Sequence, residues 1–303
     1  MMKQPPYLQA GDTIALVCPA GYMPAEKVQT CIRVLEGWGY RVMVGSTVGG
    51  NSTTYFSGTD QERLTDLQRM LNDKSVRAIL CARGGYGTGR IIEQLDFTVF
   101  AEFPKWIIGF SDITILHAHI YRHFGICTLH APMAAAFNDG KWQQEYVQSL
   151  RETLQGVSSA CSGPEHTFNR MGRVKGELVG GNLALLAHLI GSPSALDTRH
   201  KILFIEDVGE PLYNIDRMMC QLKRSGMLDS LAGLVVGGFS ECKDSDRPFG
   251  KNAYEIIESW ISEYDYPVCF DFPVSHTDRN MTLKHGALYE LKIDATGSLL
   301  AEW

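Results

Sequence analysis

From Thr13 to about Ile126, short apolar runs alternate with amphipathic stretches. Ile14-Ala15-Leu16-Val17 precedes the helix-like Ala25 to Trp38, and Arg41 to Val44 precedes Gln61 to Leu71. Ala78-Ile79-Leu80 follows, and Trp106 to Gly109 leads into the helix-like run Ile113 to His123. This rhythm predicts a parallel sheet wrapped by helices. The polar or glycine-bearing segments after the strands, Pro19-Ala20-Gly21, Arg83 to Gly89 and Phe110 to Asp112, are then expected at the carboxyl edge of the sheet, where open α/β folds bind ligands. Between Gln155 and Arg170 the chain shifts to Ser, Gly, Pro and His with little periodicity. The expected organisation is an N-terminal domain over 1–155, a linker over 156–170 and a C-terminal domain over 171–303.

In the second domain the pattern predicts strands at Val174–Val179, Lys201–Ile205, Leu231–Val236 and Val268–Phe272. Helices are expected at Leu183–Ile190, about Tyr213–Arg224 and Ala253–Tyr264. Thr282 to Trp303 alternates like antiparallel strands around an Asp294-Ala295-Thr296-Gly297 turn, so this domain is expected to be mixed rather than purely parallel.

Composition narrows the function classes. With 303 residues, 45% hydrophobic and 20% charged, the chain is long enough for two cores. A formal charge of −6 without long basic runs argues against nucleic acid or an anionic membrane as partner. No run approaches the roughly 20 apolar residues that span a bilayer. Met1 to Gln9 is polar and proline-containing, unlike a secretory signal. The eight cysteines sit singly, without Cys-x-x-Cys or zinc spacing, as expected of reduced, buried thiols in a cytoplasmic protein. No cluster has metal-ligand spacing, and no metal or cofactor is expected.

Ser111, in Gly109-Phe110-Ser111-Asp112, stands where an apolar strand meets a helix start. Such a boundary lifts a side chain out of the interior beside backbone N–H groups that can meet an oxyanion, which makes Ser111 a candidate nucleophile. It is equally placed for an ordinary helix N-cap, with Asp112 favoured in the first turn by the dipole. A serine nucleophile needs a base, and the base an orienting acid. Glu206 ends an apolar strand, with Asp207 and Glu210 as competitors; all three can alternatively cap a helix beginning near Pro211. Among nine histidines, His276 lies in the polar loop Pro273-Val274-Ser275-His276-Thr277-Asp278, with His285 and His130 as rivals. His117, His119 and His123 fall on one amphipathic helix, where packing explains them. The glycine-rich Arg83-Gly84-Gly85-Tyr86-Gly87-Thr88-Gly89 lacks both the P-loop and the dinucleotide fingerprints. It suits either a tight turn or an oxyanion N–H, with Arg83 placed to bind a substrate carboxylate.

Taken together, these segments resemble the LD-carboxypeptidase family of serine peptidases, which includes murein tetrapeptide carboxypeptidases and microcin immunity hydrolases. The likeness is carried by Gly11-Asp12-Thr13-Ile14-Ala15-Leu16-Val17 with Pro19-Ala20-Gly21, by Gly58-Thr59-Asp60 with Glu62-Arg63-Leu64, and by Arg83-Gly84-Gly85-Tyr86-Gly87. It continues in Gly109-Phe110-Ser111-Asp112, Gly180-Gly181-Asn182-Leu183, Glu206-Asp207-Val208-Gly209-Glu210, and His276-Thr277 followed by Asn280. Several motifs in the right order cover nearly the whole chain.

The resemblance implies a triad of Ser111 as nucleophile, His276 as general base and acid, and Glu206 as its orienter. It also implies an oxyanion hole, placed at the backbone amides of Gly85 and Asp112; Arg83, Tyr86 and Asn182 are the candidate substrate contacts, Arg83 for the terminal carboxylate. The implied fold is α/β: an N-terminal flavodoxin-like, or glutamine-amidotransferase-like, parallel-sheet domain joined to a smaller β-rich mixed α/β domain, usually as a homodimer. The implied reaction is cytoplasmic release of the terminal D-alanine from a muropeptide tetrapeptide in cell-wall recycling. Within the family the alternative is hydrolysis of a peptidyl-nucleotide, as in microcin immunity. Outside it stands a non-catalytic peptide-binding protein of the same fold. Ser275 departs from the glycine that many relatives carry before the histidine.

Overall fold

Apolar runs with no polar alternation can only be strands if both their faces are covered, and that is what the first half of the chain achieves. The computed structural model describes residues 2–303. In chain order the first half forms β1 (Thr13–Val17), α1 (Ala25–Gly37), β2 (Arg41–Val44), α2 (Asp60–Asn72), β3 (Val76–Cys81), α3 (Thr98–Glu102), β4 (Trp106–Gly109), α4 (Thr114–Phe124), β5 (Thr128–His130) and α5 (Glu145–Leu154). Every residue of β1, β4 and β5 is buried. The helices cover the sheet with apolar stripes; in α1 the buried residues are Val28, Cys31 and Leu35, three and four apart. Thr59 and Glu62 form a capping box that starts α2.

Strands β2, β1, β3, β4 and β5 lie side by side in that order, all parallel. This 2-1-3-4-5 order is flavodoxin-like and reverses direction between β1 and β3. The segments leaving β1, β3 and β4 therefore meet at the carboxyl edge, as expected. β5, α3 and α5 lie outside the periodic runs; β5 has only three residues, too few for a local pattern.

The second half forms β6 (Ala160–Gly163), β7 (Gly172–Asn182), α6 (Leu183–Leu189), β8 (Ile202–Val208), α7 (Leu212–Arg224), β9 (Gly233–Ser240), α8 (Ala253–Ile261), β10 (Val268–Cys269), β11 (Leu283–His285), β12 (Leu288–Asp294) and β13 (Gly297–Glu302). Its seven-stranded sheet runs β10-β9-β8-β7-β12-β13-β6. The pairs from β10 to β7 are parallel, and those from β7 to β6 are antiparallel. The fold is thus mixed α/β, with a flavodoxin-like sheet first and a mixed sheet second.

Contacts divide the chain into two compact units, Met1–Val157 with Met281–Lys284, and Ser158–Asn280 with His285–Trp303. Three local expectations change. The supposed linker contains β6, because Ala160–Gly163 finds a non-local partner in β13. The strand expected at Val268–Phe272 shrinks to two residues, since Asp271 takes a φ of +53° that cannot continue a ladder. Of the expected C-terminal antiparallel run, only β12 and β13 form the hairpin, paired from Tyr289↔Glu302 to Asp294↔Gly297. β11 instead borders β5 in the first sheet. It is pinned in that unit by Thr282 N–H donating to Ser149 Oγ at 3.0 Å and by Lys284 Nζ donating to Tyr7 Oη at 2.8 Å. Among the described residues no helix is long and apolar enough to cross a membrane.

Candidate active site

Ser111 follows β4 by two residues and has a φ of +62°, in the left-handed region that costs a side-chain-bearing residue roughly 1–2 kcal/mol. It opens a 3-10 turn, Ser111–Ile113, that leads into α4. The simple N-cap expectation fails here. The residues in the cap positions are Phe110 and Ile113, and no side-chain capping bond is made at either. The strain therefore has no local capping return, and strained residues of this kind gather at functional sites. Strand, strained serine and helix start together match the geometry of a nucleophile elbow.

Glycine brings a second loop against this serine. A Cβ on Gly84 would lie 3.0 Å from Ser111 Cβ and 3.3 Å from the Asp112 nitrogen, so only the bare backbone fits comfortably. Gly21 N–H donates to Gly84 O at 3.0 Å, joining the loops after β1 and β3 across the point where strand order reverses. Gly85 is next along the same loop. Arg83 is exposed and donates from Nη1 to Tyr22 O at 2.7 Å. Tyr86 is exposed and packs against Phe56, with ring centroids 5.8 Å apart. His117, fully buried, places Nε2 2.9 Å from Gly109 O, and burial lowers its pKa to about 4, so it is neutral there. His130 is also fully buried, packed near Phe110 with centroids 5.8 Å apart.

In the second unit, Glu206 and His276 are already a pair. Glu206 is completely buried, and its Oε2 lies 2.6 Å from His276 Nδ1. Its Oε1 meets no donor among the described residues, so this buried charge depends on the histidine. Burial pulls the His276 pKa down, but the hydrogen bond and charge of Glu206, joined by Asp207 and Glu241, outweigh it and hold the imidazole above its ordinary value. The competing acids serve elsewhere. Asp207 accepts from Ala184 N–H at 2.9 Å and from Asn182 Nδ2 at 2.8 Å, which caps α6. Burial and the neighbouring Glu206 raise its pKa to about 6. Glu210 accepts from Asn214 Nδ2 within α7. The cap expected near Pro211 is thus not made by these acids jointly; Pro211 stands at the α7 cap position without a side-chain bond.

Asn182 pairs in register with Glu206. Its Oδ1 accepts from Leu185 N–H, and its Nδ2 is the donor to Asp207, so its buried amide orders this strand end. His285, the other rival base, is buried in β11.

What aims Glu206 is a register shift that the strand pattern does not reveal. Ile205 pairs with Val236 but Asp207 with Phe239, so β9 spends one extra residue, within Gly237-Gly238, opposite Glu206. A Cβ on Gly237 would fall 2.2 Å from Val274 O and 3.2 Å from Glu206 Cβ. The bare backbone lets the His276 loop lie directly on β9, fastened by Gly238 N–H to Val274 O at 2.9 Å. Ser275 organises the loop itself: its Oγ accepts from Thr277 N–H at 3.1 Å and donates to Arg279 O at 3.0 Å. The sequence signal for this was the Gly-Gly pair after an apolar strand, which also marks Gly84-Gly85 and Gly180-Gly181. Among the described residues no group of three or more His, Cys, Asp or Glu is arranged to hold a metal ion.

Comparison with known proteins agrees with this architecture. Residues 14–131 match the LD-carboxypeptidase N-terminal domain, and residues 175–291 match the LD-carboxypeptidase C-terminal domain. The chain is 37% identical over 289 residues to the probable murein peptide carboxypeptidase of Bacillus subtilis, covering 94% of this chain and 90% of that protein. It is 25% identical over 324 residues to the microcin C7 self-immunity protein MccF of Escherichia coli, covering 95% and 92%. The crystal structure of muramoyltetrapeptide carboxypeptidase from Oxalobacter formigenes matches with a TM-score of 0.87 at 31% identity, covering 96% of this chain and 98% of that one. With both family domains present in order and the identity running through nearly its whole length, the chain belongs to the LD-carboxypeptidase family.

Proposed function

We propose that this protein is a serine-type LD-carboxypeptidase that releases the terminal D-alanine from muropeptide tetrapeptides in the cytoplasm, acting as a homodimer in cell-wall recycling. The observation that carries the reading is Ser111, held at a φ of +62° with no capping bond to account for it. In the proposal, Ser111, His276 and Glu206 act on one substrate. Glu206 fixes the Nδ1–H tautomer of His276, which leaves the Nε2 lone pair to take the Ser111 proton. Ser111 Oγ attacks the carbonyl before D-alanine, and the oxyanion is received by the N–H groups of Gly85 and Asp112. The imidazolium then protonates the departing amine, D-alanine leaves, and water deprotonated by His276 hydrolyses the ester. Arg83, exposed beside this loop, is the proposed receptor for the terminal carboxylate, with Tyr86 at the rim and Asn182 ordering the strand end that carries Glu206.

The test is mass spectrometry of products from a muropeptide tetrapeptide and from its C-terminally amidated form. D-alanine release from the first alone is expected. No release, or equal cleavage of the amide, overturns the reading; hydrolysis of a peptidyl-nucleotide in its place would assign the microcin-immunity activity. Gly84→Ala supplies a check on geometry. Its Cβ would press on Ser111 and the Asp112 amide by a few tenths of an ångström, so kcat/KM is expected to fall roughly tenfold or more. Tm, measured in parallel, should fall by only a few degrees.

A further inference from the structure

The loop after β3 is rich in glycine, with φ of +96° at Gly85 and +144° at Gly87, and such a loop left to itself samples many conformations. Backbone donors stabilise an oxyanion well only if they are oriented before the charge forms. Something must therefore hold the loop. The hydrogen bond from Gly21 to Gly84 fixes its beginning. Its far end is held by two buried charged side chains that the proposed triad does not use.

Asp112, fully buried, accepts the N–H of Thr88 on Oδ2 at 2.8 Å. Arg63, also fully buried, donates from Nη1 both to Pro19 O and to Gly87 O, the second at 3.0 Å, and from Nη2 to Asp60. Asp60 is held from outside by Arg90, whose Nη2 donates to it at 2.7 Å. One guanidinium thus spans the loops after β1 and β3. One carboxylate ties the end of the glycine loop to the residue that follows Ser111.

Resting on the serine-peptidase reading above, we infer that the side chains of Asp112 and Arg63 are positioning residues that pre-set the oxyanion cradle. Asp112 serves twice, its N–H lying beside the would-be Cβ of Gly84 and its carboxylate locking the loop that Gly84 begins. Because the two ends share one residue, the cradle and the nucleophile turn move together. An arginine is required because its planar fork serves both carbonyls from Nη1 and Asp60 from Nη2 at once, which a lysine ammonium on a single stem does less well.

The experiment compares substrate turnover with binding of a peptide boronic acid, which forms a tetrahedral adduct on a reactive serine. Asp112→Ala keeps its own backbone N–H and loses the carboxylate that holds Thr88. It should lower kcat about 100-fold and weaken the boronic acid by a similar factor, with KM within about threefold of wild type. Asp112→Asn can still accept the Thr88 N–H and should stay within about fivefold of wild type. Arg63→Lys should lower kcat about tenfold with KM unmoved, a second test if Asp112→Ala does not fold. Wild-type boronic acid affinity in Asp112→Ala, an effect confined to KM, or an Asp112→Asn enzyme as impaired as Asp112→Ala would overturn the inference. A wild-type enzyme that forms no adduct at Ser111 overturns the serine-peptidase reading itself, and the inference with it.

Discussion

On the proposed mechanism, replacing Ser111 by alanine or by glycine should reduce D-alanine release by roughly 10⁴-fold or more, because removing the proposed nucleophile disables the unit that acts with it. The two variants should part company in stability. Alanine keeps the strain of a φ near +62°, whereas glycine adopts that conformation without steric cost. Glycine is therefore expected to be more stable than alanine by about 1 kcal/mol, a gain of roughly 2–4 °C in Tm for units of this size. Dead enzymes in both cases, with the glycine form melting higher, would show a residue kept in a costly conformation for its chemistry. Activity surviving in Ser111→Ala would remove it from the nucleophile position. Equal melting temperatures would mean that the left-handed turn stores no strain.

The second large effect concerns the buried pair. Glu206→Ala should lower kcat/KM by roughly 10²–10⁴-fold, since the histidine loses the group that fixes its tautomer and stabilises its charged form. The pH profile gives a signed test. As the proposed general base, His276 works as neutral imidazole, so activity is expected to rise as pH passes upward through its pKa. Glu206 holds that pKa above the ordinary 6.5, and without it burial dominates and lowers it. The acidic limb should thus lie above pH 6.5 in wild type and shift to lower pH in the variant, measured on its residual activity. A limb that stays fixed would show that another group titrates. Glu210→Ala, whose carboxylate bonds Asn214 in α7, should change neither the limb nor the rate by more than about twofold.

Much of this was legible in one dimension. Runs such as Trp106–Gly109 announce buried parallel strands because burial on both faces leaves no polar alternation. The break into Phe110-Ser111-Asp112 likewise marks the carboxyl edge of the sheet. Local pattern was silent where partners are distant. β6 is visible only through β13, and β11 only through the first sheet, because hydrogen-bond ladders between remote segments leave no periodicity of their own.

The residues of the site divide along the same line. The sequence by itself determined which types of side chain stand at strand ends: a serine, three acids, a polar loop with a histidine, and a glycine-rich turn. Choosing among them required three dimensions. Period-two alternation places Glu206 and Asp207 on opposite faces but assigns neither a partner. The extra residue of β9 and the bare backbone of Gly237 let the His276 loop settle on Glu206, while the start of α6 claims Asp207. The cap reading of Ser111 is likewise open in sequence, since caps and nucleophiles occupy the same boundary between a strand and a helix, and it closes only once the backbone angles and cap positions are known. Spacing along a chain records which groups are available, and only packing, through bulges, close approaches and backbone angles, decides which of them meet.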